Sequence, residues 1–209
     1  MILNERKVKV YLIGETNFLV DAGLDQDNNV GYIVRLALDG KIKLIVPEIS
    51  FFEVWGAILS KIKRRKELAE NLRKEANQIG GSNYAGKTVK NLKESAKLLE
   101  ESYDADIYSL EDSLEMTKQI CTIIDYSPAI HARSYLITLD KRYGLVNPDA
   151  SVHESIKQFA RENEGIKIRL NKNTNDFDKK IIHKELKELG VEVYFDSGKV
   201  IKRITELTG

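Results

Sequence analysis

Carboxylate and amide side chains follow apolar runs at several places in this chain. Most lie directly after a run such as VYLI, IKLIV or IKIRL, or at the start of a helix pattern. The set comprises Glu15, Thr16 and Asn17; Glu48 and Glu53; Asp149; and Asn171, Asn173, Asp176 and Asp178. Carboxylates packed together repel one another unless a cation lies between them. Oxygen ligands without a Cys or His partner favour a hard cation such as Mg²⁺ or Mn²⁺.

Such a cation can activate water and neutralise the charge of a phosphate under attack. His131, His153 and His183 form no obvious ligand set. Taken singly, the acids have simpler interpretations: Asp149 complements a helix dipole, and Asp178 is expected as the N-cap of a helix. The hypothesis of a metal site therefore depends on the whole set.

The surrounding pattern predicts the elements that would position these residues. Apolar, β-branched runs predict strands at residues 8–13, 42–46, 166–170 and 191–195. Amphipathic spacing predicts helices over about 29–38, 49–79, 86–101, 107–124 and 179–189, and a helical end of the chain. A further helix is expected to start at Asn147-Pro148-Asp149, with Asn147 as its N-cap. Strands that alternate with helices indicate an α/β fold with a mainly parallel sheet of four or five strands. Ligands of such folds gather at the carboxyl ends of the strands.

Composition excludes several other classes of protein. The 209 residues contain one cysteine, Cys121, so neither an internal disulfide nor a cysteine-rich zinc module can form. No apolar run is long enough for a membrane span, and the N-terminus lacks the apolar core of a signal peptide, so a cytoplasmic location without membrane contact is expected.

The net charge of +1 conceals a local excess of +7 over residues 61–97 and of −7 over residues 98–116.

Four stretches, in this order, resemble a PIN domain. They are VYLIGETNFLVDAGLDQ (10–26), IVPEISFFEVWGAI (45–58), LVNPDASVHESI (145–156) and the segment 170–204, which begins LNKNTNDFD. The resemblance is to a branch whose first motif reads ETNF. It implies a three-layer α/β/α domain that spans residues 1–209, with residues 60–140 as a long helical insertion or arm.

The resemblance also implies a site and an activity. Position by position, Glu15, Glu53, Asp149 and Asp176 match the catalytic acids that hold Mg²⁺ or Mn²⁺. Asn17 matches a partner that orients the first acid by hydrogen bonding, and Asn171 and Asn173 stand where the family often has Thr and Asp. The activity implied is endoribonuclease cleavage, in which a metal-activated water hydrolyses a phosphodiester bond.

Two departures from the family pattern support an alternative, a catalytically weak or inactive module that binds RNA or protein. Glu15 is one methylene longer than the usual Asp, and Asn173 lacks the expected charge. Two other acids compete for a place in the site. Asp140, in ITLD, has the pattern of a strand end, and Asp125 is interpreted as the end of a helix.

Basic residues on the predicted arm are candidates for RNA contact. They are Lys61, Lys63, Arg64, Arg65, Lys66, Lys87 and Lys90. A basic surface beside a metal site would attract and align phosphates, although charged faces of long helices are often simply solvated. Tyr84 is the only clear aromatic residue nearby, so base stacking is not indicated.

Two partners are expected besides RNA. Many PIN ribonucleases are toxins, so the resemblance implies an antitoxin protein as one partner. The apolar residues of the arm, such as Leu68, Leu72, Leu92 and Leu99, either form a homodimer or pack against each other, and the sequence leaves both open.

Overall fold

Five parallel strands form the centre of the computed structural model, which describes residues 9–81 and 85–208. The strands are β1 (Val10–Ile13), β2 (Lys43–Pro47), β3 (Cys121–Ile124), β4 (Ile166–Leu170) and β5 (Val191–Tyr194). Their order in the sheet is β3-β2-β1-β4-β5, and every neighbouring pair is parallel. The chain builds outwards from β1 in one direction and then returns to add β4 on the other side. The switch point of the sheet therefore lies between β1 and β4, where ligands of such sheets bind.

Helices cover both faces of the sheet. They are α1 (Thr16–Gly23), α2 (Asn28–Leu38), α3 (Glu48–Ile79), α4 (Gly86–Ile120), α5 (Pro128–Leu139), α6 (Asp149–Glu162), α7 (Thr174–Phe177), α8 (Lys180–Glu188) and α9 (Ser197–Thr208). One core packs β1, β2 and β4 against α1, α2, α9 and the adjoining parts of α3 and α4. A second core lies on the opposite face, under α5, α6 and α8. This three-layer α/β/α arrangement confirms the expected fold class.

Helices α3 and α4 form a long antiparallel hairpin. Its seam uses small residues at a seven-residue spacing: Ala69 and Ala76 on α3 and Ala96 on α4 are fully buried. Such a spacing is typical of helices that pack as a coiled coil. Leu68 is 50% exposed, because alanines rather than leucines fill the contact.

The hairpin also brings the basic and acidic stretches of the sequence together. Arg65 on α3 forms an ion pair with Asp106 on α4, and Arg73 forms one with Glu100. The local charge excesses of opposite sign therefore neutralise each other in part within the hairpin.

Some predicted elements differ from the observed ones. The two helices predicted over 86–101 and 107–124 are one helix, α4, which ends at Ile120. The β-branched residues that follow form β3, so Asp125 follows a strand rather than a helix. The segment before Asp140 is the end of α5, not a strand. Helix α1 was not predicted, and residues 60–140 contain β3 and α5 in addition to most of the helical hairpin.

Two predicted caps are also wrong. Lys179 rather than Asp178 is the N-cap of α8, and Pro148 rather than Asn147 is the N-cap of α6. In the part of the chain that the structure describes, no helix is both long and apolar enough to cross a membrane.

Candidate functional site

A cavity of about 170 Å³ lies at the carboxyl edge of the sheet, beside the switch point. Its lining is mainly polar and comes from four separate parts of the chain: Glu15, Thr16 and Asn17; Glu53; Asp149; and Asn173 and Phe177. Three of the four predicted acids, Glu15, Glu53 and Asp149, therefore share one cavity. The fourth, Asp176, lies close enough to raise the pKa of Asp149 by charge repulsion.

Glu15 lies at the N-cap of α1, directly beyond β1. Its side chain is buried, with 6% of the residue exposed. Its Oε1 accepts a hydrogen bond from Nε of Arg169, at 2.5 Å. Arg169 is a fully buried residue of β4, so the first acid is held by a cation within the sheet.

Glu53 lies in the second turn of α3, which begins where β2 ends. Its Oε2 accepts a hydrogen bond from Oγ1 of Thr16, at 2.8 Å. Burial, together with the charges of Asp149 and Glu15, raises the pKa of Glu53 to about 7, although the hydrogen bond from Thr16 opposes the rise. Near neutral pH, this carboxyl group is therefore only partly ionised.

Asp149 is the first residue of α6. Burial, together with the charges of Asp176 and Glu15, raises its pKa to about 6, while the charges of Arg169 and Lys179 act in the opposite direction. Two of the three acids in the cavity are thus poorly compensated when they carry a charge. A cation bound among them would remove that penalty.

The turn after β4 holds the fourth acid. Asn173 is the N-cap of α7, where its Nδ2 donates to Oδ2 of Asp176 at 2.6 Å and its Oδ1 accepts from the backbone N–H of Asp176 at 3.3 Å. Asn171 is buried, and its Oδ1 accepts from the backbone N–H of Asn173 at 2.7 Å. Both asparagines therefore shape the turn that carries Asp176.

The chemistry of these side chains fits a hard divalent cation, since the donors are carboxylate and amide oxygens. Among residues 9–81 and 85–208, however, no group of three or more His, Cys, Asp or Glu residues is arranged as a formed metal site. Arg169 contacts an oxygen of Glu15 and Thr16 contacts one of Glu53, so the carboxylates are fixed by protein donors. Binding of an ion would require some of these contacts to change.

Asn17 lines the cavity, but no hydrogen bond joins its side chain to Glu15 in the part of the chain that the structure describes.

The two competing acids, Asp140 and Asp125, lie outside the cavity. Asp140 forms an ion pair with Arg142, and Asp125 is exposed beyond β3.

The predicted RNA-binding residues divide into two groups. Three have intramolecular contacts: Lys61 donates to Gln26, Arg65 pairs with Asp106, and Lys66 lies over the ring of Tyr103. The other four, Lys63, Arg64, Lys87 and Lys90, are exposed and form no ion pair or side-chain hydrogen bond within the described residues. Tyr84 lies outside those residues.

Two residues beside the acids, Arg169 and Phe177, were missed as parts of the site. Thr16 belonged to the polar set after the first strand, but its hydrogen bond to Glu53 was not predicted. One signal was present for Arg169: it is a charged residue near the end of a strand whose pattern, IKIRL, otherwise predicts burial. A buried charge requires a partner of opposite charge, and acids at neighbouring strand ends are the natural candidates.

The fold and the cavity together define an α/β protein with carboxylates gathered at the switch point of a parallel sheet. A family model described as PIN domain matches residues 12–177. The chain belongs to the PIN domain family, whose members are generally nucleases that use divalent metals.

The comparisons with solved structures and with curated proteins add no information about function. The chain is similar to the crystal structure of VapBC2 from Rickettsia felis bound to a DNA fragment from their promoter. The two share 16% sequence identity with a TM-score of 0.39, over 88% of this chain and 97% of that chain. A comparison with curated proteins finds no match.

Proposed function

We propose that this protein is a metal-dependent endoribonuclease that hydrolyses phosphodiester bonds in RNA. One observation carries the proposal: three carboxylates from three separate elements line one cavity, and the pKa values of two of them are raised. A cluster of this kind, with unfavourable charge and oxygen donors, is suited to Mg²⁺ or Mn²⁺.

Glu15, Glu53, Asp149 and Asp176 would hold the cation. When bound, the ion supplies Lewis-acid activation of water and neutralises charge on the phosphate. The protein's own part is to fix the acids: Arg169 holds Glu15, Thr16 holds Glu53, and Asn173 holds Asp176. Because Glu53 has a pKa of about 7, it must release a proton before it binds a cation at or below neutral pH.

The hairpin would supply contacts to the RNA backbone through its exposed basic residues. Lys63 and Arg64 lie about 15 Å along α3 from Glu53, by the rise per residue of an α-helix, and Lys87 and Lys90 lie near the distal end of the hairpin, about 35–40 Å away. An RNA that contacts both the cavity and the distal end must therefore be extended over that length. Phosphate contacts of this kind carry affinity rather than base specificity.

Cleavage of RNA in the presence of Mn²⁺ tests the proposal. The wild type should cleave, EDTA should abolish cleavage, and Asp149→Asn should reduce the rate by at least about a hundredfold, because a ligand carboxylate is lost. Asp178→Asn is a matched control, since Asp178 is exposed and bonds to His183 outside the cavity. Cleavage that survives EDTA, or that is equal in wild type and Asp149→Asn, would contradict the proposal.

A second candidate is a PIN-fold module that binds RNA or protein without catalysis. The ion pair between Arg169 and Glu15 favours it, because a protein cation already contacts the first acid. Calorimetric titration separates the two functions: the nuclease should bind Mn²⁺, whereas the module should not.

An antitoxin partner and a homodimer stay predictions that follow from the sequence.

A further inference from the structure

Arg169 occupies an unusual place for a charged residue. It lies on β4, an inner strand of the sheet, and is paired in register with Ile13 of β1. The last four residues of the strand are buried, and Arg169 itself has no exposed surface. Ile13 faces the second core, and Glu15 follows two positions later, so the alternation of side chains along a strand brings the guanidinium and the carboxylate to one face.

The contacts of Arg169 are incomplete for a buried cation. Nε donates to Glu15, and the guanidinium lies over the ring of Phe177, with Cζ 4.3 Å from the ring centroid. Nη1 and Nη2 are buried and have no hydrogen-bond partner in the described part of the chain. Removal of a guanidinium from water is costly and is normally offset by a complete set of acceptors. Stability alone therefore does not explain the residue, which indicates a role in the site.

The charge of Arg169 acts directly on the acidic cavity. It contacts Glu15 and also opposes the rise in the pKa of Asp149. Lys179, the other cation that affects Asp149, donates to the backbone carbonyls of Tyr143 and Gly144 instead of to a carboxylate of the cavity. Among the residues that the structure describes, Arg169 is thus the cation in direct contact with a carboxylate of the cavity.

We propose that Arg169 is the resident counter-cation of the site: it holds Glu15 in place and competes with a divalent cation for that carboxylate. The inference rests on the proposed function, because it concerns metal binding by the same acids. Oε1 of Glu15 is taken by Arg169, which leaves Oε2 for an ion, and like charges a few ångströms apart lower each other's binding.

Calorimetric titration of Mn²⁺ at pH 8 tests this competition in four proteins. Arg169→Met removes the charge and should bind Mn²⁺ at least about tenfold more tightly than the wild type. Arg169→Lys keeps the charge and should stay within about threefold of the wild type. Lys167→Met is the matched control, because Lys167 is also buried on β4, two residues earlier, and its Nζ is 3.4 Å from the carbonyl oxygen of Gly165. It too should stay within about threefold.

The outcomes separate this inference from the proposed function. Equal or weaker binding by Arg169→Met, with binding by the wild type intact, overturns the role of Arg169 alone. Equally tight binding by Arg169→Lys and Arg169→Met also overturns it, because geometry rather than charge would then decide the affinity. Absence of Mn²⁺ binding in both wild type and Arg169→Met overturns the proposed function and this inference together.

A measurement on the wild type keeps the inference testable if Arg169→Met does not fold. The Nε–H resonance of Arg169 can be followed by NMR during titration with Mg²⁺. We expect it to shift saturably, with the same Kd as calorimetry gives for Mg²⁺, because the ion competes for Glu15. A resonance that is unmoved at saturating Mg²⁺ overturns the proposal.

Discussion

Replacement of Glu53 by glutamine should stabilise the metal-free protein at alkaline pH. The wild-type carboxyl group has a pKa of about 7 in the folded state, against an ordinary value of 4.5. The folded protein therefore binds this proton more tightly than the unfolded chain, and stability is lost as the pH rises from about 4.5 through 7. Glutamine carries no charge at any pH and can still accept the hydrogen bond from Thr16.

The magnitude follows from the change in proton affinity. Each tenfold change corresponds to about 1.4 kcal/mol, so the full effect of Glu53 at pH 8 has an upper limit of about 3 kcal/mol. The carboxyl group is only partly buried, and solvent screening reduces the expected value to about 1–2 kcal/mol. For a chain of this length, that corresponds to an increase in Tm of about 2–8 °C. At pH 4 the wild-type carboxyl group is protonated in the folded state, and the difference should nearly vanish.

Thermal unfolding in EDTA, at pH 4 and at pH 8, measures the effect. Glu67→Gln is the control, because it makes the same change on an exposed position of α3 and should alter stability by less than about 0.5 kcal/mol at either pH. A Glu53→Gln variant that is no more stable than the wild type at pH 8 would show that the charge of Glu53 does not destabilise the folded protein. Equal stabilisation at both pH values would show the same, because the effect would then not depend on ionisation.

Three other predictions concern the cavity and the hairpin. Because the acids with pKa values of about 7 and about 6 must release protons, the affinity for Mn²⁺ should fall about twentyfold between pH 8 and pH 6 in calorimetry, and a flat profile would contradict this. Ala69→Leu should destabilise the protein by about 1–3 kcal/mol in urea unfolding, because the seam has no room for the larger side chain, whereas Leu68→Ala, at an exposed position, should cost less than about 0.5 kcal/mol. The double variant Lys87→Glu/Lys90→Glu should bind RNA more weakly, and the slope of log K against the logarithm of salt concentration should become less steep by about 1–2. Lys202→Glu, at an exposed position of α9, should leave both the affinity and the slope unchanged.

The parallel sheet was predictable because four of its strands are short apolar runs bounded by turn residues. β1, β2, β4 and β5 were found within a few residues of their observed bounds. β3 was missed because CTII directly continues a helix of 35 residues, without a glycine or proline to mark the change. Pairing with β2, which is a long-range interaction, decides the conformation of such a segment.

The acids of the cavity were predictable because the carboxyl ends of parallel strands meet at one edge. The contacts that hold them were not. The hydrogen bond from Thr16 to Glu53 joins residues that are 37 positions apart, and the ion pair between Arg169 and Glu15 joins residues that are 154 positions apart. Contacts of this kind depend on side-chain geometry across strands, which spacing along a single sequence does not determine.

The most direct test of the central claim is anomalous diffraction from a crystal of the protein soaked in Mn²⁺. We expect an anomalous peak in the cavity, within bonding distance of carboxylate oxygens of Glu15, Glu53 and Asp149. An empty cavity at saturating Mn²⁺, or an ion bound only at other acids of the chain, would contradict the claim that these carboxylates form a metal-dependent site.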